Sequence, residues 1–191
     1  RALRLGPDDR IVSWLPLYHD MGFIACLNLP LLFGVPTVVL DPVEWVGRPA
    51  SFLQAAAEVG ATLSWNPNFA YAFMAQRVRD RDLEGLDLSC FRALVNCSEP
   101  VTHTSQQRFI ERLRPHGLRE DVFTGCYAMA ETTFALTHGE PDDPATLDAV
   151  GPSNGARSND GDPYVSVGRP LDGVEIKVVD DGGEECEDRR I

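Results

Sequence analysis

Lysine is almost absent from this 191-residue sequence, and basic charge in general is scarce. Lys177 is the only lysine, and arginines supply the rest of the 17 basic residues, against 29 Asp and Glu. Phosphate chemistry that depends on a lysine therefore has few possible locations. The formal net charge of −12 also argues against a nucleic-acid backbone or an anionic membrane as the main partner, because both repel an acidic chain.

Long apolar runs and paired cysteine motifs are missing as well. No apolar stretch reaches the roughly 18 residues that a membrane-spanning helix needs, so no membrane span is expected. The five cysteines include no CxxC motif, and their number is odd. We interpret them as mostly buried free thiols of a protein in the reducing cytoplasm. The hydrophobic share of 43% is enough for a real core and excludes wholesale disorder.

Short apolar strands alternate with helical segments along most of the chain. The apolar runs predict strands at 10–17, 37–40, 61–65, 91–96 and 122–127, and the intervening patterns predict helices at 21–33, 49–59, 67–79 and 102–114. Asn66 is a candidate cap for the third helix. Continuous apolar strands that alternate with helices predict an α/β fold, a mainly parallel sheet with helices on both faces.

The last quarter of the sequence has a different composition. Residues 139–163 are rich in Gly, Pro, Asp and Asn and predict a long loop. Residues 173–179 alternate as a strand and lead into an Asp-Asp-Gly-Gly turn that is typical of a hairpin. We therefore predict an α/β core at 1–138, a loop at 139–163 and the start of a truncated β-hairpin subdomain at 164–191. The chain is interpreted as an internal piece of a longer enzyme.

Four polar clusters directly follow predicted strands. They are the segments 18–22 (YHDMG), 66–71 (NPNFAY), 96–101 (NCSEPV) and 125–133 (GCYAMAETT). Parallel sheets bind ligands at the carboxyl ends of their strands, so these loops are expected along one edge. The last segment places an aromatic ring, small residues and then a carboxylate at that edge.

Taken together, the segments SWLPLYHDMG, NPNFAY, NCSEPV, CYAMAETT and VSVGRP resemble the adenylate-forming superfamily of acyl-CoA synthetases, luciferases and peptide-synthetase adenylation domains. They are most similar to fatty acyl-AMP ligases. The resemblance implies that a hydrophobic carboxylic acid reacts with MgATP to give acyl-AMP and pyrophosphate. The acyl group would then pass to the thiol of an acyl carrier protein or of CoA. The implied cofactors are ATP/AMP and Mg²⁺.

The resemblance also assigns roles to residues by position. Tyr127 would stack on adenine, Glu131 would be a catalytic residue and the Mg²⁺ ligand, and His19 would be catalytic at the junction of acyl chain and phosphate. The implied nucleotide-binding residues are Asn96, Cys97, Ser98, Glu99, Pro100, Cys126, Tyr127, Ala128, Met129, Ala130 and Thr132. The implied substrate-tunnel residues are Tyr18, Asp20, Asn68, Phe69 and Phe73.

Several alternatives stay open. The family usually has small residues where this chain has Cys97 and Ser98, and together with Ala128 these departures leave room for a non-catalytic α/β nucleotide-binding module. An acyl-CoA synthetase of the same superfamily is a closer alternative. Ser98 lacks the flanking glycines of a hydrolase nucleophile. Phe69 and Phe73 suit either an acyl tunnel or an ordinary core. The family's lysine-bearing phosphate loop and its closing domain are absent from these 191 residues, so the chain alone is expected to be almost inactive.

Overall fold

The computed structural model describes residues 2–141, 146–148 and 162–186. Its strands, in chain order, are β1 (Ile11–Ser13), β2 (Thr37–Val39), β3 (Leu63–Pro67), β4 (Ala93–Cys97), β5 (Phe123–Ala128), β6 (Ala135–His138), β7 (Leu147–Asp148), β8 (Tyr164–Val165) and β9 (Arg169–Pro170). A π-helical segment (Met21–Asn28) continues into α1 (Leu29–Phe33), and the other α-helices are α2 (Pro42–Gly47), α3 (Ala50–Val59), α4 (Asn68–Arg77), α5 (Asp80–Leu83) and α6 (His103–Leu113).

Seven of these strands form one sheet in the order β2-β1-β3-β4-β5-β6-β9. The first five in that order are parallel, whereas β6 runs antiparallel to β5 and β9 antiparallel to β6. The predicted α/β fold is therefore confirmed. The antiparallel extension beside β5 was not predicted, and neither was the small β7-β8 pair.

Helices cover both faces of the sheet. On one face, Tyr71 of α4 and Phe109 of α6 pack edge-on against Phe123 of β5. On the other face, Cys26 in the π-helical segment lies against Ser13 of β1. The strand register places Ser13 and Phe123 on opposite faces, because side chains alternate along each strand. The chain order crosses from β2 over β1 to β3, so the switch point of the sheet lies between β1 and β3.

The structure corrects several sequence-based predictions. Asn66 does not cap a helix, because it is the fourth residue of β3 and is fully buried, and α4 begins only at Asn68. The predicted 21–33 helix is π-helical in its first eight residues. Helix α2 was missed although Asp41 caps it, with its carboxylate accepting hydrogen bonds from Val43 N (2.8 Å) and Glu44 N (3.0 Å).

The predicted 173–179 segment does not form a regular strand, and the C-terminal hairpin is reduced to a single antiparallel bridge. Val179 and Glu185 form an antiparallel bridge, and the Asp180 carboxylate accepts hydrogen bonds from two backbone groups of the turn. Much of the predicted 139–163 loop lies outside the described residues, and its described part includes β7. The division into an α/β core, a loop and a hairpin subdomain stays a prediction. Within the described residues, no helix combines the length and apolarity that crossing a membrane requires.

A buried ion pair fastens the loop before β1 to the loop before β4. Arg92 donates from Nε to Asp9 Oδ1 (2.8 Å) and from Nη2 to Asp9 Oδ2 (2.9 Å), and Thr62 donates a further hydrogen bond of 2.6 Å to Asp9 Oδ1. Burial alone would raise the pKa of Asp9, but hydrogen bonds from Arg92, Thr62 and Gly6 N outweigh it, so the pKa lies below its usual value. The ionised carboxylate therefore stabilises the folded state.

We expect Asp9→Ala to destabilise the protein by about 3 kcal/mol at pH 7, because it leaves the largely buried Arg92 charge without its anionic partner. The estimate is at the lower end of the range for such pairs since the Arg92 side chain is 25% exposed. The contribution of Asp9 is present above its unfolded-state pKa and is lost as the pH falls through the lower folded-state pKa. Urea unfolding at pH 7 and pH 3 measures the difference, which should shrink at pH 3. Exposed Asp8→Ala is the matched control, and an equal loss for both variants would contradict the assignment.

Candidate functional site

The four predicted loops meet at the carboxyl edge of the parallel strands. The Ser98 hydroxyl donates to the Met21 thioether (3.4 Å), which joins the loop after β4 to the start of the π-helical segment. The Glu99 carboxylate accepts from Phe69 N, which joins the loop after β4 to α4. The register pairs Asn96 with Gly125, so Cys97 and Cys126 are lateral neighbours on β4 and β5. The sheet therefore brings the segments 18–22, 66–71, 96–101 and 125–133 together.

A network of side-chain amides and hydroxyls holds this edge from one face. Asn68 Oδ1 accepts from Asn96 Nδ2 (3.0 Å) and from Thr102 N (3.1 Å), while Asn68 Nδ2 donates to Thr102 Oγ1 (3.1 Å) and Ser105 Oγ (3.3 Å). Asn96 is fully buried and Asn68 nearly so. One amide thus fixes the first turn of α4 against the end of β4 and the beginning of α6. We therefore infer that Asn68 and Asn96 position the loop after β4.

An aromatic cluster lies beside this network at the switch point. Trp14 stacks on Trp45 with ring centroids 3.7 Å apart, and Phe69 meets both rings edge-on. The Trp14 indole N–H donates to Asn66 Oδ1 (2.6 Å). Phe73 also packs on Trp45, at 5.5 Å. Phe73 is therefore part of a packed aromatic group, whereas the Phe69 ring remains 50% exposed.

The segment after β5 forms a tight turn that points its carboxylate outward. Met129 N donates to Phe134 O (3.0 Å), and the Thr132 hydroxyl donates to Met129 O (3.1 Å), around the 3₁₀ turn Ala130–Thr132. Glu131 is exposed and makes no hydrogen bond or ion pair with any residue that the structure describes. The Tyr127 ring, at the end of β5, is 50% exposed. The ring and the carboxylate are therefore both available to a ligand at this edge.

The donor set around Glu131 fits a magnesium ion that arrives with a nucleotide. Mg²⁺ typically takes one or two protein carboxylates and completes its shell with water and phosphate oxygens. A single, unpaired carboxylate on an exposed turn meets that requirement. Among the described residues, no group of three or more His, Cys, Asp or Glu side chains could form a closed metal site. Glu131 would thus hold Mg²⁺ only together with the phosphates.

His19 and Asp20 form a local pair at the start of the π-helical segment. His19 Nδ1 lies 2.7 Å from Asp20 Oδ1, and Met21 N donates to Asp20 Oδ1 (2.8 Å). Asp20 therefore acts as a helix cap. His19 is half-exposed and bound to Asp20 through Nδ1, so its other ring nitrogen, Nε2, is the one available to a ligand. Its catalytic role remains a prediction.

The remaining predicted nucleotide-binding residues differ in exposure. Asn96, Cys97 and Cys126 are buried, Ala128 and Met129 are half-buried, and the exposed members are Ser98, Glu99, Pro100, Tyr127, Ala130 and Thr132. Buried members can shape the edge, and only the exposed ones can contact a nucleotide without rearrangement. The Ser98 backbone has φ +75°, a left-handed bend that turns the chain outward directly after Cys97.

An apolar cavity of about 520 Å³ lies next to the Glu131 turn. Its walls include Leu29, Phe33, Trp65 and the segment Thr132–Ala135. Ligand pockets for small molecules are typically of this size and mostly apolar. Of the residues predicted for the site, only Thr132 lines it. The predicted tunnel residues Tyr18, Asp20, Asn68, Phe69 and Phe73 lie elsewhere on the edge, and the Tyr18 side chain is 93% exposed.

Sequence reasoning missed the cavity because five separate segments build it. Residues 2–5, the segment at Leu29 and Phe33, strand β3, the stretch after Glu131 and Leu171 each contribute one part. No local motif marks such a set. The Thr102 and Ser105 hydroxyls were missed for a different reason. Their hydrogen bonds join the start of α6 to α4, 34 and 37 residues away.

We expect Tyr127→Ala in the full-length protein to weaken ATP binding by about 1–3 kcal/mol, the range for stacking of a base on an aromatic ring. Tyr127→Phe keeps the ring and should bind ATP nearly as well as the unchanged protein. Because half of the side chain is exposed, neither substitution should affect the fold. Calorimetric titration with MgATP measures the effect. Equal weakening in both variants would show that the hydroxyl, rather than the ring, contacts the nucleotide.

Comparison with known proteins identifies the family to which the chain is similar. The chain matches the AMP-binding enzyme family over residues 1–190. FadD25 of Mycobacterium tuberculosis is 37% identical over 182 residues, which are 91% of this chain and 31% of that protein. The long-chain-fatty-acid–AMP ligase FadD26 of Mycobacterium bovis is 39% identical over 134 residues, which are 70% of this chain and 23% of that protein. The chain therefore spans about a third or less of the length of these relatives.

Solved structures show the same architecture. The fatty acid AMP ligase from Legionella pneumophila superposes with a TM-score of 0.90 at 31% identity, covering 99% of this chain and 34% of that chain. The fatty acyl-adenylate ligase from L. pneumophila in complex with acyl adenylate and pyrophosphate gives 0.89 at 30% identity, covering 99% and 35%. This chain belongs to the AMP-binding enzyme family, and it has the α/β fold of adenylate-forming enzymes.

Proposed function

We propose that the protein containing this chain is an ATP-dependent acyl-adenylating ligase. A hydrophobic carboxylic acid attacks the α-phosphate of ATP, which gives acyl-AMP and releases pyrophosphate. The acyl group then passes to a thiol, either the phosphopantetheine of an acyl carrier protein or CoA. In this proposal, Tyr127 stacks on adenine, and Mg²⁺ held by Glu131 would neutralise phosphate charge.

The observation that carries the proposal is the position of the Glu131 turn. On one side it follows the exposed ring of Tyr127, and on the other side it continues into the wall of the apolar cavity at Thr132–Ala135. A flat ring, a free carboxylate and an apolar cavity thus follow one another within nine residues of chain. This order suits adenine, phosphate and acyl tail, which are the three parts of an acyl adenylate. We infer that the acyl tail enters this cavity, which favours a hydrophobic acid.

Hydroxylamine trapping tests the proposal on the full-length protein. With MgATP and fatty acids of graded chain length, acyl hydroxamate and pyrophosphate should form together, and neither should form without the acid. Omission of an acceptor should leave acyl-AMP bound. Adding either CoA or a phosphopantetheinylated carrier protein then shows which acceptor consumes it. Nucleotide binding without pyrophosphate release would instead support a non-catalytic nucleotide-binding module.

A further inference from the structure

Two thiols face each other where the ends of β4 and β5 lie side by side. Cys97 is the last residue of β4, and Cys126 is the fourth residue of β5. The register pairs Asn96 with Gly125, so the next residues, Cys97 and Cys126, are lateral neighbours with side chains on the same face. Neighbouring strands lie about 4.8 Å apart, which is within the Cα separation that a disulfide tolerates.

Hydrogen bonds to its sulfur favour the ionised form of Cys97. Interaction with the Cys126 thiol, and to a smaller extent with Ser98, lowers the pKa of Cys97, against the effects of burial and of the nearby Asp20 carboxylate. The same interaction and burial raise the pKa of Cys126, so Cys126 keeps its proton. A thiolate held next to a thiol is the arrangement of an attacking and a resolving cysteine.

The pair lies at the end of the core that faces the proposed ligand. Both thiols are buried, at 0% and 2% exposure, but exposed residues follow each of them directly, Ser98 after Cys97 and Tyr127 after Cys126. An oxidant would therefore approach the pair from this edge. By contrast, Cys26 is buried on the same face of the sheet, and burial raises its pKa to about 12. Cys26 can therefore serve as a control thiol, because it has no cysteine partner among the described residues.

We propose that Cys97 and Cys126 form a reversible disulfide on exposure to a peroxide, and that this bond switches off the adenylation site; the switch, though not the disulfide, rests on the proposed function. The Cys97 thiolate attacks one peroxide oxygen, which leaves a sulfenic acid and releases hydroxide. The Cys126 sulfur then attacks the sulfenic sulfur, its proton joins the departing hydroxyl as water, and the S–S bond forms. In total, two thiols and one hydrogen peroxide give one disulfide and two waters.

The disulfide would act on both adenine-side segments at once. The Cα separation already suits a disulfide, but forming the S–S bond requires both side chains to rotate and then holds them in one geometry. Ser98, with its left-handed backbone, and Tyr127 follow the bonded residues directly. We expect the rotation to reorient the loop after β4 and the stacking ring relative to each other. ATP bound over this edge should, in turn, slow the oxidation.

The test uses the reduced full-length protein, titrated with hydrogen peroxide, alkylated under denaturing conditions and mapped by peptide mass spectrometry. We expect a linked Cys97–Cys126 peptide pair that dithiothreitol separates, while Cys26 remains fully alkylated. In parallel, hydroxamate formation should fall by about tenfold or more on oxidation and recover on reduction. Cys126→Ser should abolish the linkage, and Cys26→Ser should leave the peroxide response unchanged.

The peptide map tests the disulfide, and hydroxamate formation tests the switch. Sulfinic acid at Cys97 with Cys126 still free, or a linkage through another cysteine, would overturn the disulfide. A mapped Cys97–Cys126 bond with unchanged hydroxamate formation would overturn the switch. If the reduced protein forms no hydroxamate at all, the proposed function fails and the switch fails with it, whereas the mass spectrum still decides the disulfide. Should Cys126→Ser fold poorly, Cys126→Ala gives the same mass readout.

Discussion

Glu131→Gln in the full-length protein is expected to lower acyl-AMP formation by about 100-fold or more, while ATP affinity falls much less. The exchange keeps the shape of the side chain and removes its negative charge. A metal ligand contributes most where charge develops in the transition state, so the rate should suffer more than binding. Because Glu131 is exposed and unpaired within the described residues, the fold should not change. Hydroxamate trapping gives the rate, and calorimetric titration gives the affinity.

Glu111→Gln is the matched control for that experiment. Glu111 is an exposed glutamate on α6, and the same exchange there should leave both rate and affinity unchanged. Raising the Mg²⁺ concentration should partly restore the rate of Glu131→Gln, because a weaker metal site fills at higher concentration. Unchanged turnover in Glu131→Gln would remove this residue from the site. A residue other than Glu131 would then have to bind the phosphates beside the cavity.

The 191-residue chain produced alone is expected to form no measurable acyl-AMP and to bind MgATP weakly or not at all. Its only lysine lies within 3.9 Å of Glu175 and 3.8 Å of Glu185, where neighbouring acids already neutralise its charge. Adenine stacking, at about 1–3 kcal/mol, must oppose an immobilisation cost of about 4–15 kcal/mol. The four negative charges of ATP would also approach a chain with a net charge of −12.

Isothermal titration of the isolated chain with MgATP and with an acyl-AMP analogue measures this expectation. Far-ultraviolet circular dichroism on the same sample establishes whether the chain is folded. Micromolar binding of MgATP, or release of pyrophosphate, would contradict it. An arginine such as Arg169, exposed in β9, would then be the first candidate for binding the phosphates in place of a lysine. Arg169→Ala would test this role.

The parallel half of the sheet could be predicted from sequence because four of its five strands, β1, β3, β4 and β5, are largely buried on both faces. Such strands appear as continuous apolar runs, as in Leu94 and Val95, and the polar residues that follow them mark the carboxyl edge. The antiparallel strand β6 could not be predicted in the same way. Its residues, Ala135–His138, follow the Glu131 turn almost directly, and no Gly or Pro separates them from the site segment. Without a turn residue, the sequence does not show where the Glu131 turn ends and strand β6 begins.

The residues of the candidate site that follow the strand ends could be predicted from the sequence. The side-chain contacts that hold those segments in place could not. Tyr127 and Glu131 stand in a recognisable order, so their positions followed from the motif. The contact of Trp14 with Asn66 joins residues 52 apart in the chain, and nothing local indicates it. Helix α2 did carry a signal, since Asp41 and Pro42 form a standard start, but its six residues are too few for a periodic pattern. Tertiary packing around Trp45 stabilises it instead.

The amide network at the carboxyl edge has a consequence for the response of the site to acidity. Asn66, Asn68 and Asn96 carry no titratable group, and burial keeps Tyr71, which donates to Val95 O, protonated at any physiological pH. The frame that holds the loops together should therefore keep one geometry from mildly acidic to mildly alkaline solution. Bell-shaped or sloping activity profiles would then report on solvent-facing groups, on the nucleotide and on the acid substrate, and not on loosening of the frame.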